Sequence, residues 1–179
     1  MPLSPPLKDA PPRPQITSRI TSQKTAEIMY PHFLEWLQLR GFRTFKTEDE
    51  IKLYLTGALC HHKDSFQITK WFEDRMSVEA DEALYRIFWD VQPQRRQNHQ
   101  VEVGEWVFRN RIRFPAKKGD GITYHRLEQG RTARRTGIVV TVDPMTASAV
   151  VRSLSDKERA ADRVMSEDVQ TLVAVLAAK

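Results

Sequence analysis

The residues of this chain that could most readily do chemistry are arginines and lysines gathered between positions 109 and 135. On an extended segment, alternation would place Arg109, Arg111 and Arg113 on one side, spaced like successive contacts along a phosphate backbone. A guanidinium matches phosphate oxygens bidentately, and a tyrosine ring offers a stacking face to an unpaired base. We therefore predict a nucleic-acid-binding set of cations with one stacking residue: Arg109, Arg111, Arg113, Lys117, Lys118, Arg131, Arg134, Arg135 and Tyr124.

Charge is distributed unevenly along the 179 residues, whose net charge is +5. Residues 93–136 carry eleven Arg and Lys against four Asp and Glu, whereas residues 25–92 carry eight against twelve. The local excess decides the field, because a charge is screened within ~8 Å at physiological salt. Three interpretations of the basic stretch stay open: it binds DNA or RNA, it docks an acidic protein partner, or it is a solvated face without a specific role.

Residues of the types used in catalysis and metal binding do not combine into a recognisable site. Cys60, His61 and His62 are neighbours at a helix end, so their side chains point in different directions, and a structural zinc site needs four ligands. Cys60 follows apolar residues without a motif that supplies a base, and no glycine loop has the context for holding phosphates. We therefore predict that the protein is not an enzyme and uses no metal and no cofactor.

A run of alternating residues, 137–142, predicts a half-buried strand in the C-terminal half. One face of this strand holds Ile138, Val140 and Val142. Asp143 and Pro144 fit the first two positions of a β-turn, since aspartate accepts local backbone hydrogen bonds and proline presets φ. Residues 147–152 then return as an antiparallel strand.

Three further segments complete the predicted sheet. Strands are expected at 101–108, 163–165 and 169–175, with a short helical turn at 166–168. A hairpin alone is marginal in water, so the strands around Asp143 need such partners.

This order of features resembles the SH3-like small barrels of the KOW and Tudor type over residues 101–175. The resemblance is carried by Gly104-Glu105-Trp106-Val107, the long loop, Thr136-Gly137-Ile138-Val139-Val140, the Asp143-Pro144 hairpin and Met165-Ser166-Glu167-Asp168-Val169. It implies an antiparallel barrel that serves nucleic-acid binding, contacts with ribosome or polymerase, or peptide recognition.

Helical periodicity marks the N-terminal half. Helices are predicted over 31–40, after a Thr47 cap, after an Asp64 or Ser65 cap through residue 75, and after a Ser77 cap through residue 90, with a weaker turn at 25–30.

The fold class is therefore α+β, a helical domain followed by an antiparallel SH3-like barrel. Residues 92–100 contain no apolar side chain and one proline, which marks a domain boundary. The predicted parts are a disordered proline-rich arm at 1–22, a helical domain at 23–91, a linker at 92–100, and a barrel at 101–179 with a long basic loop at 114–135.

A rival function depends on the helical half. Trp36 falls on the opposite side of its helix from Phe33 and Leu37, so it is the tryptophan that we expect to contact another protein chain, with burial in the core as the alternative. The protein is then an interaction module, an inhibitor or assembly factor of a larger complex, including one encoded by a phage or mobile element, in place of a nucleic-acid-binding adaptor or regulator. With one cysteine, no apolar signal segment and no run near ~20 apolar residues, a cytoplasmic protein without a membrane partner is expected.

Overall fold

This computed structural model of the protein describes residues 11–41, 47–77, 79–128, 131–154, 161–165 and 168–173. The chain divides into two compact units. The first is Arg13–Glu102, and the second joins Val103 and the residues after it with Pro11 and Pro12. Each unit has a buried apolar core of its own.

Helices build the first unit. They are α1 (Arg19–Leu39), α2 (Glu48–His61), α3 (Ser65–Met76) and α4 (Glu82–Asp90), followed by α5 (Gln92–Arg109), which begins in the first unit and ends in the second. The predicted helix at 31–40 is confirmed but is part of the longer α1, which continues through Pro31. Buried Met29 and Phe33 lie on either side of that proline, so packing offsets the backbone hydrogen bond that it removes.

A side-chain cap fixes where the first four helices begin. Each cap accepts a hydrogen bond of 2.8–3.2 Å from the backbone N–H three residues on, and the caps are Ser18, Thr47, Asp64 and Asp81. The predicted caps at Thr47 and Asp64 are confirmed. The prediction for Ser77 is wrong, because Ser77 has φ 51° and ends α3 in a left-handed conformation, while Asp81 begins α4.

Aromatic rings join the helices of this unit. The centroid of Phe72 lies 5.0 Å from that of Phe33 and 5.2 Å from that of Phe88, which connects α1, α3 and α4. All three rings are fully buried. Pairs at these distances contribute about 0.5–1.5 kcal/mol each beyond the burial of their area.

The second unit is an antiparallel sheet. Its strands are β1 (Gly121–Glu128), β2 (Arg131–Asp143), β3 (Ser148–Ser153), β4 (Ala161–Met165) and β5 (Val169–Val173), in the order β4-β3-β2-β1-β5. The Tyr124 hydroxyl on β1 donates to Asp162 on β4 at 2.6 Å, although β2 and β3 lie between these strands in the sheet. The sheet must therefore curl on itself, and the α+β class is confirmed.

The predicted linker at 92–100 and strand at 101–108 are wrong, since both lie in α5. Val103 and Val107 are four positions apart, which is helical spacing, and they are buried together. Over so short a run the same spacing also fits the alternation of a strand. Upstream, the buried Arg95 donates to the carbonyls of Leu59, His62 and Lys63 at 2.6–3.1 Å, at the end of α2. Burial lowers the pKa of Arg95 to about 10. The polar segment around Arg95 is thus packed against α2 because the guanidinium donates to backbone carbonyls there. Amino-acid composition does not reveal this kind of packing.

The predicted loop at 114–135 is also wrong, because β1 and the first part of β2 occupy most of it. Ile122 and Tyr124 alternate into the core. The first residues of β2, 131–135, pair with β1 but carry mostly polar side chains, so hydropathy alone did not mark them as a strand.

A bulge decides which face of β2 is buried. Val139 pairs with Val151, but Thr141 pairs with Val150, so Val140 is an extra residue. Val139 and Val142, three positions apart, consequently pack into the same core. The predicted uninterrupted alternation, with Ile138, Val140 and Val142 on one face, is therefore wrong in register.

The predicted turn after β2 is confirmed. Asp143 accepts from the backbone N–H of Met145 at 3.0 Å and from the Thr146 hydroxyl at 2.5 Å. The predicted strands at 163–165 and 169–175 correspond to β4 and β5. Residues 174 and 175 of the second prediction lie outside the described residues. The predicted arm at 1–22 lies partly outside them as well, and its last residues, from Arg19, belong to α1. Within the described residues, no helix is both long and apolar enough to cross a membrane.

Candidate functional site

The predicted row of Arg109, Arg111 and Arg113 is not extended. Arg109 is the last residue of α5, and its guanidinium pairs with Glu105 at 3.1 Å on an exposed surface. Arg111 has φ 53°, in the left-handed region. The N–H of Arg111 donates to the carbonyl of Phe108 at 3.2 Å, and that of Ile112 donates to Val107 at 3.0 Å. These two bonds form a Schellman motif, so the three arginines do not lie along one extended segment.

Lys117 and Lys118 lie on a tight turn that is fastened to β2. The Asp120 carboxylate accepts from the Lys117 N–H at 2.7 Å, and the Asp120 N–H donates back to Lys117 at 3.0 Å. Gly119, with φ 91°, donates to the Val139 carbonyl at 2.8 Å. Both lysine side chains are exposed, so the turn presents two charges beside the middle of β2.

The remaining predicted arginines lie on the β1–β2 hairpin. In the ladder, Arg134 is opposite His125 and Arg135 is opposite Tyr124. Residues opposite each other share a face, so Arg134 and Arg135 lie on different faces, and Arg131 shares the face of Arg135. Arg131 and Arg134 are exposed, whereas Arg135 is half-buried. At ~3.3 Å per residue, Arg131 lies roughly 26 Å along β2 from Val139, so the hairpin cations and the lysine turn are separate groups.

Most of these cations keep their charge available. Among the described residues, no carboxylate forms an ion pair with Arg111, Arg113, Lys117, Lys118, Arg131 or Arg134. By contrast, Arg109 pairs with Glu105 and Arg126 pairs with Asp162. The neighbouring Arg163 bonds to Asp143 at 3.4 Å.

Tyr124 cannot stack on a base, so that prediction is wrong. Its side chain is 1% exposed and packs in the core of the second unit. Burial, and then the hydrogen bond to Asp162, raise the pKa of Tyr124 above its usual value. Asp162 is itself buried and also accepts from Arg126, so the three side chains form a continuous polar group across the curled sheet.

A groove of about 510 Å³ opens above this polar group. Its lining combines donors and acceptors from four segments of the chain: Tyr124, His125, Arg126, Thr132, Ala161, Asp162, Arg163 and Asp168. Residues 124–126 lie on β1, Thr132 on β2 and 161–163 on β4. Sequence reasoning missed Asp162, Arg163 and Asp168 altogether, because nothing in their local pattern joins them to β1.

Trp36 does not lie at an exposed interface, so that prediction is also wrong. It is 3% exposed, its ring stacks on Phe33 with centroids 5.7 Å apart, and its indole N–H donates to Asp81 at 3.1 Å. The buried side of α1 is wider than one stripe. Among the described residues of this unit, the large aromatic side chains that are exposed are Phe66 and Trp89, at 70% and 60% exposure.

Two further sources of functional information are possible metal ligands and similarity to known proteins. Within the described ranges, no three His, Cys, Asp or Glu side chains are grouped so that they could hold a metal ion. Comparisons with protein-family models, with curated proteins and with solved structures gave no match.

Proposed function

We propose that the second unit binds nucleic acid as a non-enzymatic adaptor or regulator. The observation that carries this proposal is the group of exposed cations that pair with no carboxylate among the described residues, on the β1–β2 hairpin, on the lysine turn and at the end of α5. Arg131 and Arg134 contact phosphates by bidentate hydrogen bonds, and Lys117 and Lys118 act as point charges. These contacts position the ligand without reading its sequence.

We also propose that this sheet is a small barrel of the SH3-like type. The order β4-β3-β2-β1-β5 supports the proposal, since four consecutive strands form a meander and the last strand returns to pair with β1. Asp168 is in a 3₁₀ conformation immediately before β5, and residues 166 and 167 of the predicted helical turn lie outside the described residues. A fold alone does not identify the ligand, so the proposal of nucleic-acid binding depends on the charge pattern.

The test is binding of fluorescent single- and double-stranded DNA and RNA, measured by anisotropy from 50 to 200 mM salt. Arg131→Gln/Arg134→Gln is the test variant. Lys24→Gln/Arg96→Gln removes two exposed charges from the other unit and is the matched control. Each lost phosphate contact makes the slope of log K against log salt less negative by roughly 0.7–0.9, so we expect a change of roughly 1.4–1.8 for the test variant only. Absence of binding at 50 mM salt, or equal effects of both variants, would overturn the proposal.

A second candidate function is protein binding by the first unit. Trp89 is exposed and stacks on Tyr85, with centroids 6.0 Å apart. Exposed aromatic residues are enriched at protein interfaces. If this candidate is correct, a partner captured from lysate stays bound after nuclease treatment and is lost with Trp89→Ala, while nucleic-acid binding is unchanged.

A further inference from the structure

The β1–β2 hairpin extends beyond the rest of the sheet. Residues 125–128 of β1 pair with residues 131–134 of β2, and we call this two-stranded segment the basic ribbon. Among the described residues, β5 pairs with β1 only over 121–124, and β3 pairs with β2 only over 137–143. At ~3.3 Å for each of its four residue pairs, the basic ribbon therefore projects about 13 Å past its neighbouring strands.

The basic ribbon is fastened at its base and exposed along its length. Arg126 pairs with the buried Asp162 of β4, and this ion pair ties the start of the ribbon to the curled sheet. Two strands alone are marginal in water, so such an anchor is needed to hold the ribbon in place. The side chains described as exposed on it are those of His125, Arg126, Arg131, Thr132 and Arg134. The ribbon thus offers its surface to a ligand and adds little to the core.

The two cations of the basic ribbon that pair with no carboxylate among the described residues lie on opposite faces. Arg131 and Arg134 are three positions apart on β2, and successive side chains of a strand alternate between its faces. One backbone, or a flat anionic surface, follows one face of the ribbon and meets one of these charges. A ligand that neutralises both must bring phosphates to both faces, as the two backbones on either side of a duplex groove do.

The dimensions of the basic ribbon favour one groove. Packed sheets lie ~10 Å apart, so a ribbon with side chains on both faces is roughly 10 Å thick. The major groove of B-DNA is about 12 Å wide and about 8.5 Å deep and admits a two-stranded ribbon, whereas its minor groove is only about 6 Å wide. The major groove of double-stranded RNA is deep and narrow, and side chains cannot read it. The projecting length of about 13 Å exceeds the depth of the DNA major groove.

We propose that the basic ribbon enters the major groove of double-stranded DNA, with Arg131 toward the phosphates of one strand and Arg134 toward those of the other. The inference rests on the proposed nucleic-acid binding and adds to it the class of ligand and the groove. The Arg126–Asp162 pair stays intact in the complex and positions the ribbon.

The first test uses the unmodified protein and four ligands of one sequence: single- and double-stranded DNA and RNA. Anisotropy at 50 mM salt should show that duplex DNA binds about 10-fold or more tightly than each of the others. Methyl green, which occupies the major groove, should displace the protein from duplex DNA, and netropsin, which occupies the minor groove, should not. Equal affinity for duplex DNA and any other ligand, or displacement by netropsin, would overturn the inference.

The second test thickens the basic ribbon without changing its charge. Thr132→Trp adds an indole at an exposed position of the ribbon, and Thr141→Trp makes the same change at an exposed position of β2 outside it. Thermal unfolding verifies that both variants fold. We expect Thr132→Trp to weaken duplex DNA binding about 10-fold or more and to leave single-strand binding unchanged, because only the groove limits thickness. Thr141→Trp should alter neither affinity. Undiminished duplex binding by Thr132→Trp would contradict entry into the groove.

The outcomes separate this inference from the function on which it rests. If single strands and duplexes bind equally, and Arg131→Gln/Arg134→Gln weakens both, the inference fails while the proposed function stands. If the wild-type protein binds no nucleic acid at 50 mM salt, both proposals fail together.

Discussion

Arg111 occupies a backbone conformation that glycine adopts without steric cost. At φ 53° it fills the position after the end of α5 at which glycine is most common, and its side chain is exposed. A left-handed conformation costs an ordinary L-residue roughly 1–2 kcal/mol. An arginine kept at that cost is consistent with a use for its guanidinium, and phosphate binding is the use that we propose.

Arg111→Gly is therefore expected to stabilise the protein by about 1 kcal/mol while weakening nucleic-acid binding. Urea denaturation and anisotropy measure the two effects on the same sample. Ser77→Gly is the control, since Ser77 is exposed, has φ 51° and ends α3 in the other unit. It should gain stability without losing affinity. Undiminished binding by Arg111→Gly would remove Arg111 from the interface.

Tyr124→Phe keeps the buried ring and removes its hydroxyl. Asp162 then stays buried with one donor fewer, so the free energy of unfolding should fall by about 1–3 kcal/mol. The folded protein raises the pKa of Tyr124. The hydrogen bond from its hydroxyl to Asp162 therefore contributes fully to stability below about pH 10, and this contribution is lost as pH rises further. Denaturation at pH 7 and pH 11 checks both points, and the difference between variant and wild type should shrink at pH 11. Tyr85→Phe, at a half-buried ring, should cost under about 0.5 kcal/mol.

Among the elements, β2 and β3 leave no room for a Cβ at Gly137. A Cβ there would lie 2.5 Å from Val151 Cγ1 and 2.6 Å from the carbonyl oxygen of Arg152. The residue is required by this contact between strands and not by its own backbone angles. The second unit can place β2 against β3 in this register only without a side chain at 137.

Gly137→Ala should destabilise the protein by about 1–3 kcal/mol, because backbone must move to admit the methyl group. Gly57→Ala is the matched substitution. Gly57 lies inside α2, with nothing within 4 Å of the added Cβ, so the change should stabilise by about 0.5–1 kcal/mol. Thermal unfolding of the two variants measures the contrast, and a neutral Gly137→Ala would show that the strands are less closely joined.

The turn between β2 and β3 predicts a dependence on pH. The Thr146 hydroxyl, and then the backbone N–H groups, lower the pKa of Asp143. A carboxylate with a lowered pKa stabilises the fold above its unfolded value near 3.9 and loses that contribution as pH falls through the folded value.

Asp143→Ala should therefore cost about 1 kcal/mol at pH 7, and the cost should diminish below about pH 4. Urea denaturation at pH 7, 4 and 2.5 tests this. Asp74→Ala removes an exposed carboxylate 3.9 Å from Lys70 and should have little effect at any of these values. A constant cost for Asp143→Ala across the range would mean that the charge of the carboxylate is not what holds the turn.

At the scale of the whole molecule, charge is the property that separates the two parts of the chain. The excess of cations at 93–136 is opposed by an excess of carboxylates at 25–92, and the net charge of +5 conceals both. A ligand that meets the basic surface releases counterions in proportion to the phosphates that it brings.

Binding should accordingly be steeply salt dependent. If the six cations without carboxylate partners among the described residues each neutralise a phosphate, log K falls against log salt with a slope of roughly −4.2 to −5.4. Affinity then decreases on the order of 300- to 2000-fold between 50 and 200 mM salt. Anisotropy titrations measure the slope, and a value near −1 would limit the contact to one or two charges.

The sequence by itself determined the features that local interactions specify. The caps at Thr47 and Asp64 and the Asp143 turn were predictable, because each depends on a side chain that bonds to backbone within three residues. The first four helices, the later part of β2 and the strands after it followed from the same short range of periodicity, and so did the α+β class, whereas α5 and β1 did not.

Only the tertiary structure decided the rest. Val103 and Val107 fit both a strand and a helix over a short run, and burial against Ile112 and Ala147 selects the helix. Trp36 and Tyr124 became core residues because Asp81 and Asp162, 45 and 38 residues away, satisfy their polar atoms. The groove exists for the same reason, since its walls come from strands that are distant in sequence and meet only when the sheet curls.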